Sequence, residues 1–525
     1  MVPDKIDLLP SAKKQKVEMS DDLTSTNLAP LLQLPSEILT HCFEYMNVRD
    51  LTQISSVHSV LHQIERSQIV WKSKCQSYFS LPNIVIQDAN KIVIGSGLKL
   101  EQLFENIPND CFKAFEQEDE EKIIRQNDRC IVVSKYKHYG INNILKRWSE
   151  TIELLFTKIG GGLEQEDVFK LLFRYYYEMY IGELNIDIED GCKKHCKMRK
   201  LLNQMEVYLS VHSPLIANSI SFSEGHNLLD SIEAKKIKLC EIGTCFEYTQ
   251  LYLLTDGQLD LKNKNYAFFG GYGFYDYQAR LPLLGFDNLM HYSEMLKKSN
   301  NICLASSYPI ILNSYCAVLC ASQDITDDVL EVSIKKGTIY QMSGNNYPMI
   351  FSDSFSNWFE TYVNNLTILN LFDFEPDGSI NRFPTKNFGS ETTTNGVKIY
   401  CQSLLVPELS RYSPEEVHYY FSYRIKITMD KNESTQNSCK LVSRHWEIYL
   451  TSDVQNETPE VVDGPGVVGL YPTVTPGSVF TYNSCTETEE EIGFMKGYFT
   501  MKNLKDGQLF NAMIDLFSID INNHI

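Results

Sequence analysis

Three groupings of residues have types and spacing that could do chemistry. Cys192, His195 and Cys196 stand close together and are soft metal ligands. Zinc takes four such ligands, usually from Cys-x2–4-Cys pairs with a second pair to match. The pair here is Cys-x3-Cys, and the chain contains no Cys-x-x-Cys. A structural zinc centre, a double site included, is therefore not expected, and no metal is assigned. Gly464-Pro465-Gly466-Val467-Val468-Gly469 satisfies Gly-x-Gly-x-x-Gly. A dinucleotide site needs free amides at the pyrophosphate and a helix opening at the loop. Pro465 has no N–H, and Pro472 and Pro476 follow among β-branched residues. The expected reading is a tight structural loop between strands at Gly464, Gly466 and Gly469, with weak anion binding left open. Lys193, Lys194, Lys197, Arg199 and Lys200 form a basic run, expected as a solvated helix face.

Catalytic patterns are missing. The chain holds no His-Glu-x-x-His, no Gly-x-Ser-x-Gly and no phosphate-cradling Gly-x-x-x-x-Gly-Lys-Ser/Thr. Its eleven histidines are scattered. No catalytic residue and no cofactor is assigned on this basis.

Composition bounds the rest. The 525 residues suggest roughly three or four domains at about 100–200 residues each. Apolar residues make up 43% and charged residues 22%, ordinary for folded domains. The net charge of −19 argues against a nucleic-acid partner, since that affinity rests on clustered Lys and Arg. The apolar window Tyr308–Ala321 is too short to span a bilayer and holds Asn313 and Ser314, so no membrane partner is expected. Met1-Val2-Pro3-Asp4-Lys5 opens without a secretory signal, so a cytoplasmic or nuclear location with free thiols is expected.

Five segments must position these residues. Residues 1–28 are polar, with a basic cluster at Lys13, Lys14 and Lys16, and are expected to be a disordered tail. Residues 29–79 read as a helical unit. Ile38, Leu39, Cys42, Phe43 and Met46 recur at helical spacing, with Pro35 at the start. Asp50 and Gln53 resemble a capping box opening a second helix, whose stripe runs through Ile54, Val57, Leu61 and Ile64. Residues 80–210 are charged and helix-leaning, with an acidic run at Glu116–Glu121 and a break at Gly160-Gly161-Gly162. They are expected to form a helical linker region. Residues 211–370 look mixed, with Pro376-Asp377-Gly378-Ser379 and Pro384 marking a boundary. Residues 385–525 read as an all-β sandwich. From Tyr419 to Met429 apolar and polar residues alternate almost perfectly, so one face is expected in a core and the even-numbered face in solvent.

Two segments resemble known families. Leu34-Pro35-x-Glu37-Ile38-Leu39-x-x-x-Phe43, then Val48-x-Asp50-Leu51, Val57 and Val70-Trp71, resembles an F-box. Leu61 stands where many F-boxes carry Trp. Tyr423, Arg444-x-Trp446-x-Ile448, the glycine loop through Pro472, Pro476-Gly477, Phe480-x-Tyr482-x-Ser484 and Gly493-x-Met495-x-Gly497-Tyr498 resemble an ApaG domain. The middle segment is similar to the cell-wall-assembly regulator (SUKH) family through Tyr248, Asp256-Gly257, Pro309-Ile310 and Phe355-x-x-Trp358-Phe359. The order of the three is similar to a family of animal F-box only proteins.

The resemblance implies a helical F-box, an α/β SUKH-like middle domain and an immunoglobulin- or fibronectin-like ApaG sandwich. It also implies a non-catalytic substrate receptor of an SCF-type ubiquitin ligase. An F-box buries apolar residues against the Skp adaptor, here expected to be Leu34, Pro35, Ile38, Leu39 and Phe43, with Trp71 supporting the unit. The adaptor hangs from a cullin that carries the RING subunit. The receptor would act by proximity alone, raising the concentration of a target protein near the charged enzyme. Substrate contact is expected on the sandwich, with Tyr420 as a contact residue. The alternative from another class is a non-ligase scaffold that binds a protein or ligand through the ApaG and SUKH-like domains. A nucleotide-handling enzyme built on the glycine loop is a third.

Overall fold

The structure, a computed structural model, describes residues 32–55, 58–65, 67–79, 84–88, 91–94, 123–126, 129–132, 143–144, 146–147, 165–182, 184, 186–222, 228–259, 266–314, 316–327, 331–384, 389–450, 454 and 458–522. The tail 1–28, the acidic run, the triple glycine and Val57 lie outside the described residues. The chain forms two compact units.

The first unit opens with four helices, α1 (Ser36–Tyr45), α2 (Val48–Ser55), α3 (Ser59–Glu65) and α4 (Gln68–Phe79). The carbonyl of Pro35 accepts from the amides of Ile38 and Leu39 at 3.0 and 3.1 Å, which starts α1. The ammonium of Lys74 donates to the carbonyls of Glu44, at 2.9 Å, and Met46, satisfying groups that the end of α1 leaves unpaired. The cap of α2 falls three residues earlier than the sequence pattern indicates. Asn47 Oδ1 accepts from the amide of Asp50 at 2.7 Å, and Asn47 Nδ2 donates to Asp50 Oδ2 at 2.8 Å. Asp50 therefore closes the box that Asn47 opens.

A hairpin of β1 (Ile84–Asp88) and β2 (Lys91–Ile94) follows, then α5 (Gln165–Tyr180) and the first part of α6 (Ile188–His212). These helices do not behave as a linker. Phe173 of α5 meets the rings of Trp71, Tyr78 and Phe79 edge-on, at 5.3, 5.9 and 5.1 Å. Glu189 of α6 accepts the amide of Val48 at 2.8 Å and the hydroxyl of Tyr78. The four short helices thus share their core with segments about a hundred residues downstream, because short helices need tertiary packing to persist.

The second unit includes a hairpin of β3 (Ile123–Gln126) and β4 (Arg129–Val132) and a mixed α/β part. That part runs α7 (Pro214–Ser219), β5 (Ile220–Phe222), the end of α8 (Leu228–Glu241) from Ile237 on, α9 (Phe246–Leu254), β6 (Thr255–Gln258), β7 (Gly271–Phe274), β8 (Tyr277–Arg280), α10 (Phe286–Leu296) and α11 (Ile302–Ala305). It continues as β9 (Ser307–Leu312), β10 (Ala317–Ala321), β11 (Ile325–Asp327), β12 (Val332–Ile334), β13 (Ile339–Met342), β14 (Pro348–Ser352), α12 (Phe355–Thr367), β15 (Phe372–Phe374) and β16 (Ile380–Pro384). One sheet is ordered β14-β13-β10-β9 and another β15-β16-β7-β8. Buried aromatic rings of α9 and α12, among them Tyr248, Phe355, Trp358 and Phe359, form the core. The expected boundary at Pro376–Pro384 is instead the β15–β16 pair, which completes the second sheet.

The sandwich consists of β17 (Ser390–Thr394), β18 (Val397–Leu405), β19 (Arg411–Tyr412), β20 (Val417–Met429), β21 (Cys439–Tyr449), β22 (Glu460–Pro465), β23 (Thr473–Val474), β24 (Val479–Thr488), β25 (Ile492–Asn503) and β26 (Leu509–Asp520). Two antiparallel five-stranded sheets, β17-β18-β20-β19 with β24 and β22-β21-β25-β26 with β23, enclose one apolar core. Tyr419, Phe421, Tyr423, Ile425, Ile427 and Met429 all point into it, as their alternation predicts.

Candidate functional site

The apolar residues of the expected adaptor site, Trp71 in its supporting role included, divide into two sets. Leu34 and Ile38 are 40% and 50% exposed, and Pro35 is exposed beside them. Leu39, Phe43 and Trp71 are buried within the helical unit. They hold α1 in place and leave Leu34, Pro35 and Ile38 as the outward face. Cys42 and Tyr45 are also exposed and continue that stripe along the helix at positions four and seven beyond Ile38. Their spacing carries this signal, but only the packing tells which of two apolar stripes faces outward.

Trp71 is fixed by charge as well as by packing. Its Nε1 donates to Oε1 of the buried Glu65 at 3.1 Å, and Lys170 of α5 pairs with the same oxygen at 2.7 Å. The Lys170 ammonium also lies 5.4 Å from the centre of the indole ring.

In α6, His195 is fully buried and packs on the rings of Tyr180 and Phe79 at 4.6 and 5.7 Å. Its Nε2 accepts from Arg199 Nε at 3.4 Å. Burial raises the Cys192 thiol well above its ordinary pKa, and the nearby Glu189 charge adds to the shift. Arg199 corrects the expectation of a solvated basic face. It is buried, with its guanidinium over the rings of Tyr176 and Tyr180, while Lys193 is exposed. Among the described residues no three His, Cys, Asp or Glu side chains gather as a metal cluster.

The glycine loop joins the end of β22 to the strand that follows. The amides of Gly466, Val467 and Leu470 are engaged by the carbonyls of Val442, Leu470 and Val467. Arg444 Nη1 donates to the carbonyl of Gly466 at 3.0 Å. Gly466 has φ +59°, and a Cβ there would sit 2.5 Å from the Leu470 carbonyl oxygen. The loop needs glycine for its own backbone path. No helix follows it, so the geometry of a dinucleotide cradle is absent from these residues.

Tyr420 is not a free surface residue. Its ring lies 5.6 Å from that of Phe274 in β7. Ser422 on the same face is fully buried, and Arg424 pairs with Glu375 at 2.7 Å. The even-numbered face of β20, expected in solvent, is thus partly covered by the α/β part. A carboxylate ties the two parts together. Glu408, just after β18, accepts from the hydroxyls of Tyr272, at 2.7 Å, and Tyr277, and from Gln341 Nε2 at 2.8 Å. Burial raises the Glu408 pKa, and these three donors oppose that shift. Nothing in the local sequence around Glu408 signals this role, because its partners lie 67 to 136 residues away.

Comparison with known proteins follows the same division. The F-box domain model matches residues 31–73, and the ApaG domain model matches residues 409–503. Over 170 residues the chain is 36% identical to F-box only protein 3 of Bos taurus and of Homo sapiens, covering 32% of this chain and 34% of each relative. The chain spans about a third of the length of these relatives, at 34%. It is 37% identical over 128 residues to Protein ApaG of Methylobacterium nodulans, covering 24% of this chain and 90% of that protein. No helix among the described residues is long and apolar enough to cross a membrane. The chain has an F-box domain in its helical unit and an ApaG domain in its sandwich, and it belongs to the ApaG family.

Proposed function

We propose that this chain is the substrate receptor of an SCF-type ubiquitin ligase. The observation that carries the reading is the outward apolar face of Leu34, Pro35 and Ile38, set on a domain that matches the F-box model. That face binds a Skp adaptor, and through it a cullin and a RING subunit. Leu39, Phe43 and Trp71 contribute by holding the face rather than by touching the adaptor. The chain itself is non-catalytic and acts by raising the local concentration of a target protein. The α/β part is read as SUKH-like, and together with the ApaG sandwich it holds the substrate. The glycine loop around Gly464, Gly466 and Gly469 is structural.

The reading is tested by affinity purification of the tagged full chain from cells. Recovery of a Skp adaptor together with a neddylated cullin is expected. Recovery of the chain without either would favour a scaffold outside any ligase.

A further inference from the structure

A cleft of 370 Å³ is lined by the β7–β8 hairpin, the β15–β16 pair and strands β20 and β24, all within the second unit. Two guanidinium groups reach it, in different states. Arg424 is paired with Glu375 at 2.7 Å. Arg280 is half-buried, and among the described residues its guanidinium makes no hydrogen bond or ion pair. Its side chain crosses Gly271, where a Cβ would sit 2.6 Å from Nη1. Glycine at that position leaves the space in which the guanidinium lies. Burial lowers the Arg280 pKa, while the more distant charges of Asp377 and Glu375 act to raise it. Tyr482 of β24 pairs with Ile425 and points into the sandwich core, so among the described residues Arg280 is the donor that the cleft leaves unengaged.

Charge narrows the ligand. The lining itself holds Arg280 and Arg424 against Glu375, one positive charge in excess, with Asp377 acting on Arg280 from outside it. A planar carboxylate brings one negative charge and accepts two parallel N–H bonds from a guanidinium fork. A dianionic phosphate would bring more charge than the cleft neutralises and would meet the Glu375 carboxylate. We propose that this cleft binds a carboxylate on an extended peptide, seated on Arg280 beside the exposed amide of Gln278. The carboxylate can come from an acidic side chain or from a chain end. The inference rests on the reading of the second unit as the substrate-holding part.

The test uses the purified full chain without adaptor, so its outcome is independent of ligase assembly. Binding of fluorescein-labelled hexapeptides is followed by polarisation. One peptide amide carries a central glutamate, one a glutamine and one a phosphoserine, and a fourth carries glutamine with a free C-terminal carboxylate. The glutamate peptide or the free acid should bind about tenfold more tightly than the glutamine amide, the size expected for a charge-assisted hydrogen bond. Whichever of the two does so identifies the source of the carboxylate. Arg280→Gln should abolish the preference, and Arg280→Lys, which keeps the charge but loses the fork, should weaken it. If Arg280→Gln fails to fold, Arg280→Lys and the wild-type preference decide. Equal binding of acid and amide peptides, tighter binding of the phosphoserine peptide, or a preference unchanged in either variant would overturn the proposal.

Discussion

Replacing Trp446 with alanine should destabilise the sandwich by about 3–5 kcal/mol, the usual range for a buried tryptophan. Trp446 is 1% exposed and meets Tyr423 of the opposite sheet at 5.8 Å. Within its own sheet it meets Phe499 and Phe517 at 5.9 and 6.2 Å. The ring therefore joins both sheets. The residue paired with it on β25 is Gly497, where a Cβ would come within 2.0 Å of the His445 carbonyl oxygen. A glycine there has no side chain to fill the hole that alanine would leave. Trp446→Phe should cost much less, because phenylalanine keeps a ring between the sheets and, among the described residues, the indole N–H has no hydrogen-bond partner to lose. Urea unfolding followed by far-UV circular dichroism checks this. A markedly lowered midpoint is expected for alanine and a small shift for phenylalanine. Equal midpoints for alanine and wild type would show that the sheets do not depend on this ring.

Trp71→Ala should have a comparable effect on the helical unit, again about 3–5 kcal/mol from lost packing. It also removes a donor of the buried Glu65 Oε1, and the other oxygen has no hydrogen-bond partner among the described residues. Leaving a buried carboxylate short of partners adds about 1–3 kcal/mol. A small set of helices with that deficit should open. Hydrogen exchange read by mass spectrometry should show loss of protection across α1 to α4, with β18, β20 and β25 unchanged. Wild-type protection in α1 would contradict the placement of Trp71 as the anchor of this unit.

The same residues show what the sequence makes legible. The alternation from Tyr419 to Met429 identifies the buried face of β20, because a strand has only two faces. The fate of the other face depends on β7, more than a hundred residues away, and no local pattern encodes it. In α1 both Ile38 and Leu39 are apolar and adjacent, so periodicity marks a helix without saying which residue turns outward. The packing of α1 against α4 assigns Leu39 inward. Arg199 sits in a run of lysines and reads as solvated, yet the rings at Tyr176 and Tyr180 give its planar cation a buried seat. Asp50 and Asn47 both suit a helix start, and only hydrogen-bond geometry places the cap at Asn47. The cleft around Arg280 is assembled from four separate stretches of chain, which is why no motif announces it.

The claim that this chain docks onto a ligase through its first helix is tested most directly by calorimetric titration of a purified Skp adaptor. The titrant partners are the full chain and its Leu34→Ala, Ile38→Ala double variant. Both residues are exposed, so the variant should fold and melt like wild type. Truncating two apolar anchors at a helical interface should cost at least about 2 kcal/mol, or about thirtyfold in affinity. Saturable wild-type binding that weakens by that factor in the variant is the predicted result. Undiminished adaptor affinity in the folded double variant, or no binding by the wild-type chain, would contradict it.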